Sequence, residues 1–311
     1  MSDLAIRIRG LKKVYKTGFW MRSFVGLKHL DLDVYRGEIF GFVGPNGAGK
    51  TTTIKILTGL QAATAGEADV LGIPYQDHNS RNKLGFLPER PYFYSHLTAR
   101  ELLNFYCQLF SVPAANRAPR IEKLLERVGL RDFANSPLRE YSKGMLQRVG
   151  LCQTLLHDPE LIILDEPMSG LDPLGRALVR DLILEEREAG RTVFFSSHVL
   201  SDVESLCDRV GVIIHGELRS LGTVSELVGE RVKYFDCVFA DVDAGADLPG
   251  KSFQIEQNRL RVRVGPDQLD EVLKKALGMG GRVVQVQPWR LTLEDVLVDE
   301  IQNPGGSEKS P

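Results

Sequence analysis

Gly44-Pro45-Asn46-Gly47-Ala48-Gly49-Lys50-Thr51 fits the pattern G-x-x-x-x-G-K-[ST], and Thr52 carries it forward. Glycines at this spacing let backbone N–H groups close around phosphate oxygens, and the N-terminus of a following helix adds partial positive charge. Lys50 is then long enough to reach the outer phosphates, and the Thr51 hydroxyl can ligate Mg²⁺. A glycine-rich turn that binds nothing is the competing reading. It is disfavoured because an apolar run, Glu38 to Val43, leads into the glycines and a helical pattern, Thr51 to Leu57, leads out of them.

A second group suits the same chemistry. Asp165-Glu166 ends the apolar run Leu161-Ile162-Ile163-Leu164, and open α/β sheets bind their ligands at the carboxyl ends of strands. An Asp that holds Mg²⁺ beside a Glu that polarises water would complete phosphoryl transfer to water. His198 ends the next apolar run, after Ser196-Ser197. It is either a structural histidine or a third polar group at that edge, able to sense a γ-phosphate.

These residues need a scaffold. The runs already named, with Thr192 to Phe195 and Val210 to Ile214, alternate with helical patterns and predict a mostly parallel α/β sheet. Between Thr98 and Val128, a capping box (Thr98, Glu101) and Ile121, Leu124, Leu125 and Val128 at helical spacing predict a helical insert that Gly129 closes. Beyond Lys233 come an apolar run (Tyr234 to Ala240), a loop rich in Asp, Gly and Pro, and an alternating strand (Leu260, Val262, Val264). An amphipathic helix (Leu269 to Leu277), a strand at 282–287 and a helix capped by Thr292-Leu293-Glu294-Asp295 follow. The expected division is a core at 1–228 with a helical subdomain at about 90–158, a small α+β accessory domain at 229–301, and a disordered tail at 302–311.

Composition narrows the class. The chain has 311 residues, 43% of them apolar, and 39 Lys+Arg against 41 Asp+Glu give a net charge of −2. That balance argues against a basic nucleic-acid clamp, so no nucleic-acid partner is expected. The four cysteines, Cys107, Cys152, Cys207 and Cys237, have no paired spacing for a metal knuckle, a redox motif or a disulfide framework. Met1 to Leu4 lacks a signal-peptide pattern, and no apolar run approaches the roughly 18–20 residues that cross a bilayer. Any work at a membrane is expected to pass through a partner.

The ordered set of Gly44–Thr51, Tyr141-Ser142-Lys143-Gly144-Met145-Leu146-Gln147-Arg148, Leu161–Glu166, Ser169-Gly170-Leu171-Asp172 and His198 resembles the ATPase subunit of ABC transporters, over roughly residues 4–225. The resemblance implies an α/β P-loop NTPase core with a helical subdomain. It implies ATP and Mg²⁺ as ligands, ATP hydrolysis, a homodimer that sandwiches two nucleotides, and an integral membrane permease as partner on the cytoplasmic side of the cell membrane. It makes Lys50, Glu166 and His198 catalytic and puts Thr51, Asp165 and Glu89 near the metal. Tyr141–Met145 stands for the signature, whose Ser142 and Gly144 act across the dimer; Ser169–Asp172 is the D-loop. Tyr15 takes the place of the aromatic that stacks on adenine, while as a residue it reads equally as hairpin core.

Three positions depart from the common pattern: Lys143 for glycine, Met145 for glutamine, and Glu89 for the glutamine of the Q-loop. These variants look like the exporter branch with a separate permease, which also often ends in a motif like Leu293-Glu294-Asp295-Val296-Leu297. A soluble ABC ATPase of the translation or DNA-repair type is the alternative, disfavoured by the compact insert between the two nucleotide motifs. An importer ATPase is disfavoured by Glu89 and the signature. Lys143 is expected to face solvent rather than phosphate. The aromatic cluster of the stretch Lys16-Thr17-Gly18-Phe19-Trp20-Met21-Arg22-Ser23-Phe24 could extend a hairpin core, contact the nucleotide, or face the permease and lipid headgroups, with the core reading favoured. Tyr92-Phe93-Tyr94 lies either at the permease contact or inside the helical insert.

Overall fold

The structure, a computed structural model, describes residues 3–17, 22–229, 232–243, 246–255 and 259–302. Two strands of fourteen residues open the chain, β1 (Leu4–Thr17) and β2 (Arg22–Tyr35). Apolar and charged residues alternate along them, as half-buried antiparallel strands require. Ile6, Ile8, Leu30, Leu32 and Val34 are buried, while Arg7 and Arg9 reach Asp69 at 2.7 Å and Asp33 at 2.8 Å on the outer face. β3 (Ile39–Val43) is apolar and wholly buried, and runs through the glycine-rich loop into α1 (Lys50–Leu57).

Strands β4 (Ala65–Val70), β5 (Ile73–Pro74) and β6 (Leu84–Leu87) precede a helical block of α2 (Ala99–Leu109), α3 (Ala114–Arg127) and α4 (Lys143–Leu155). Both halves of the Thr98–Glu101 capping box form at the start of α2, and Gly129 takes the left-handed φ of +62° just after α3. The first unit finishes with β7 (Leu161–Asp165), α5 (Pro173–Glu188), β8 (Thr192–Ser197), α6 (Leu200–Leu206), β9 (Arg209–Ile214) and β10 (Glu217–Thr223).

Ten strands form one sheet among the described residues, in the order β5-β4-β1-β2-β10-β9-β3-β8-β7-β6. Neighbours from β9 to β6 are parallel, as the helical crossovers require. The runs read from the sequence, β3, β7, β8 and β9, are parallel as expected, and β10 pairs in parallel with β2; the sheet also carries an antiparallel wing of β5, β4, β1 and β2, and β10 turns back against β9. Strands joined by short turns can only become antiparallel neighbours, whereas parallel ones need a long crossover. Phe194 packs between Phe40 and Phe42 at ring distances of 5.6 and 5.5 Å, each buried ring contributing about 1.5–3 kcal/mol. That packing fixes β3 beside β8, so the loop at Gly44 and the turn at His198 lie at one edge of the sheet.

Helix α7 (Val224–Val228) lies where the chain divides into two compact units, the second beginning at Ser225. The second unit is α+β: β11 (Val232–Ala240), β12 (Lys251–Ile255), β13 (Arg259–Val264), α8 (Leu269–Gly278), β14 (Arg282–Arg290) and α9 (Leu293–Gln302). Its sheet runs β12-β13-β11-β14, and Cys237, Phe239, Leu260, Val262 and Val264 bury a core against Val272 and Ala276 of α8. Thr292 and Asp295 cap α9 reciprocally, at 3.1 and 3.3 Å. All nine residues of β14, the edge strand, are exposed. Phe19, Trp20, Met21 and the expected tail from 303 onward lie outside the described residues.

Candidate active site

The glycine-rich loop has its shape because no side chain fits there. A Cβ on Gly44 would come within 2.1 Å of the Ile213 carbonyl oxygen, and one on Gly49, at φ +116°, within 2.9 Å of the Gly26 oxygen. Gly47, at φ +79°, faces open space instead. Gly49 caps α1 without any side chain, so the first-turn amides of that helix are left for a ligand. Asn46 and Gly47 are exposed, whereas Ala48 is buried under the loop and Pro45 is half-buried.

Lys50 is buried and folds back on the loop: Nζ donates to the Gly44 oxygen at 2.6 Å and the Pro45 oxygen at 3.4 Å, and lies 3.9 Å from Glu166 Oε1. Burial pulls its pKa below the ordinary lysine value, against the opposite pull of Glu166, Asp165 and Glu89. Asp165 is buried too, its Oδ1 accepting from Ser196 Oγ at 2.7 Å and Thr51 Oγ1 at 3.4 Å. Burial pushes its carboxyl up, and the Ser196 hydrogen bond offsets this in part. Glu166 sits in the left-handed region at φ +52°, where a non-glycine residue is costly. Its N–H donates to Ser196 Oγ at 3.1 Å, and its Oε2 lies 2.6 Å from His198 Nδ1 and accepts from the His198 amide at 3.3 Å.

Lys50, Thr51, Thr52, Glu89 and Glu166 line one cleft with Asn46 to Gly49. Glu89 follows β6, with Oε1 3.6 Å from Arg90 Nε. Ser142 and Gly144 are not brought into this cleft. Ser142 is exposed at the start of α4, where its Oγ accepts from the Met145 amide at 3.2 Å. Asp172 caps α5, its Oδ1 accepting from Gly175 N at 3.1 Å. Lys143 is exposed, its side chain lying over Gly170.

Sequence reasoning gave one residue no role and favoured the wrong place for another. Ser196, wholly buried, ties Asp165 to Glu166; the signal was a serine at the buried end of a strand next to the carboxylates. Phe24 lines the cleft and is 58% exposed, which overturns its assignment to a hairpin core. Tyr15 stands directly across the hairpin from Phe24 but outside the cleft lining. Its hydroxyl lies 3.0 Å from Thr52 Oγ1 and donates to Gln61 Oε1 at 2.8 Å. Tyr92 and Tyr94 are exposed at 95% and 60%, so neither is buried in the helical block.

The cleft fits a nucleotide with a hard divalent cation. It holds a desolvated ammonium with only carbonyls and carboxylates around it, open space over Gly47, and a hydroxyl and a carboxylate that converge at Thr51 and Asp165. A cation such as Mg²⁺ keeps several waters and takes phosphate oxygens, so one hydroxyl and one or two carboxylates suffice.

The family description "ABC transporter" matches residues 27–169. An uncharacterized ABC transporter ATP-binding protein of Nostoc sp. is 43% identical over 296 residues, 94% of this chain and 88% of its own length. This chain belongs to the ABC transporter ATP-binding proteins. A Bacillus subtilis relative is 34% identical over 96% of both chains, and a bacitracin transport ATP-binding protein of Bacillus licheniformis is 39% identical over 73% of this chain and 74% of its own. Among solved structures, a dimeric ATP-binding cassette in a post-hydrolysis state, bound to ADP and phosphate, superposes with a TM-score of 0.65 at 25% identity. It covers 70% of this chain and 98% of its own. As an ABC ATPase the chain binds and hydrolyses ATP, and its first unit carries the P-loop NTPase fold of that family. Among the described residues no helix is long and apolar enough to cross a membrane.

Proposed function

We propose that this chain is the ATP-hydrolysing subunit of an exporter, acting as a homodimer on the cytoplasmic side of the cell membrane and peripheral to it through a separate integral permease. The observation that carries the dimer is that Lys50, Thr51 and Glu166 share one cleft while Ser142 and Gly144 stand outside it. A second copy is then the natural source of a signature at the nucleotide, where the free O–H of Ser142 can donate to phosphate. Export rather than import is supported by Glu89 in the cleft wall and by the similarity to a bacitracin transport protein. No role for nucleic acid enters this reading.

Each residue then has a task. Lys50 leaves the Gly44 and Pro45 carbonyls for the outer phosphates of ATP. Thr51 and Asp165, with Glu89 nearby, would hold Mg²⁺, which neutralises phosphate charge. Glu166 orients the attacking water and receives its proton, while His198, fixed against Glu166 Oε2, faces the γ-phosphate. Asn46 to Gly49 enclose the phosphates with their amides.

The deciding experiment is reconstitution of the chain in inside-out vesicles with a candidate membrane permease encoded next to its gene. ATP-dependent uptake into such vesicles is the expected result for export. Efflux from them would mean import, and an ATPase rate that no permease alters would favour a soluble ABC ATPase.

A further inference from the structure

We propose that the open face of the sheet in the second unit docks on anionic phospholipid headgroups and so gives the chain a hold of its own on the membrane. No permease takes part in this contact, and the nucleotide cleft plays no role in it. Leu260, Val262 and Val264 bury their side chains in the core that α8 covers. Their neighbours along β13, Arg259, Arg261 and Arg263, therefore leave the opposite face, one every two residues and about 7 Å apart. Lys251 of β12 stands in register with Arg263, which puts it on the same face. Arg259, Arg261 and Lys251 are exposed. The four strands hold seven Lys and Arg against one carboxylate, Asp236, whereas α9 holds four carboxylates and no cation. Asp236 is itself taken up by Arg263, at 3.1 Å.

Folding alone does not ask for such a row. Like charges directly across a strand pair oppose the pairing, yet Lys251 lies opposite Arg263, and Arg261 and Arg259 follow on the same face. A surface of phosphate headgroups relieves that repulsion, and cations near it are attracted over about a Debye length. The row ends in the right pair of rings. Trp289 of β14 stacks on Tyr234 of β11, with centroids 5.7 Å apart at 20°, and the Arg263 guanidinium lies 4.1 Å from the Tyr234 ring centroid. Trp289 is 46% exposed. Trp and Tyr settle at the headgroup level of a bilayer, where the ring meets apolar chains and its N–H or O–H meets water. A single-stranded nucleic acid is served less well, because it needs free ring faces for successive bases, and Tyr234 lies between Arg263 and Trp289.

The test is flotation of the full chain with phosphatidylcholine vesicles, with and without phosphatidylglycerol, at about 0.1 M salt, where charges are screened beyond about 10 Å. The chain should float with the phosphatidylglycerol vesicles only, and about 1 M salt should release it. Arg259→Ala with Arg261→Ala should lower the partition coefficient roughly 25-fold, about fivefold for each cation. Arg259→Lys with Arg261→Lys keeps the charges and should keep the binding. Lys274→Ala with Lys275→Ala takes the same charge from α8, on the far side of the sheet, and should leave partition within about twofold of wild type. Turnover of ATP should be unchanged in all three variants. A wild-type chain that floats with neither vesicle overturns the inference, as does equal binding to both lipids or an equal loss in the α8 variant. A chain that ignores vesicles but binds a single-stranded oligonucleotide through Arg259 and Arg261 overturns it in favour of a nucleic acid.

Discussion

His198 Nδ1 lies 2.6 Å from Glu166 Oε2, and the other oxygen of the same carboxylate lies 3.9 Å from Lys50 Nζ. Glu166 is thus gripped by a cation on one side and an imidazole on the other, with its backbone at φ +52°. A residue held in that region persists only where its surroundings over-determine it. The Ser196 hydroxyl, which accepts the Glu166 amide and donates to Asp165, supplies part of that constraint.

Replacing His198 by Ala should lower ATP turnover about tenfold to a hundredfold, the scale of one hydrogen bond to a charged group. ATP affinity should stay nearly unchanged, because the phosphate amides are untouched. Steady-state kinetics that show a raised KM and an unchanged kcat would contradict the orienting role.

Burial disfavours the charged forms of both Lys50 and Asp165. For Asp165 the folded pKa is raised above its ordinary value of 3.8. Its penalty is therefore absent below that value, grows as pH climbs past it, and is complete above the folded pKa. Asp165→Asn should melt above wild type at pH 7, by about 2–4 °C for each kcal/mol recovered, with the gap closing as pH falls toward 4, while turnover is lost. A lower Tm for the variant at pH 7 would refute this account.

Lys50→Ala should reduce turnover by orders of magnitude and abolish the thermal shift that ATP gives the wild type. Wild-type turnover in that variant would remove the cleft as the active site.

Glu166→Gln should bind ATP, fail to cleave it, and accumulate as a dimer in light scattering with saturating ATP and Mg²⁺. Adding Ser142→Arg should return it to monomer, since the exposed start of α4 would carry a bulky cation into the place of a hydroxyl packed on phosphate. A double variant that still dimerises would separate the signature from the interface.

At Glu89 geometry should matter more than charge. Glu89→Gln keeps the length and one acceptor oxygen and should retain most activity, whereas Glu89→Ala should slow turnover or disconnect it from the permease. Equal rates and equal permease stimulation across the three proteins would take Glu89 out of the site.

The phosphate loop, the carboxylate pair and His198 were legible in the sequence because each is local: a pattern of glycines, or a polar residue ending an apolar run. What could not be read depends on which strands become neighbours. The Glu166–His198 bond exists because β7 pairs with β8. Of the antiparallel wing only the hairpin around Tyr15 could be read, because the pairing of β1 with β4 joins segments far apart in the chain. Phe24 was misread because only the pairing of residue 15 with 24 puts its ring at the cleft. The elements of the second unit were more legible, because Leu260, Val262 and Val264 alternate without a bulge against β11.

Strand β14 has a consequence of a different kind. It ends its sheet, and every side chain along it, including Val283, Val284, Val286 and Trp289, is open to solvent. The outer row of N–H and C=O groups on such an edge is a template for any extended chain, guarded here by Arg282, Arg290 and Pro288 near its ends and by no charge at its centre. The penalty falls on storage rather than on catalysis: concentrated stocks will shed material by self-association along this edge while the dissolved fraction keeps its specific activity, and a lysine in place of Val284 will keep them clear for longer.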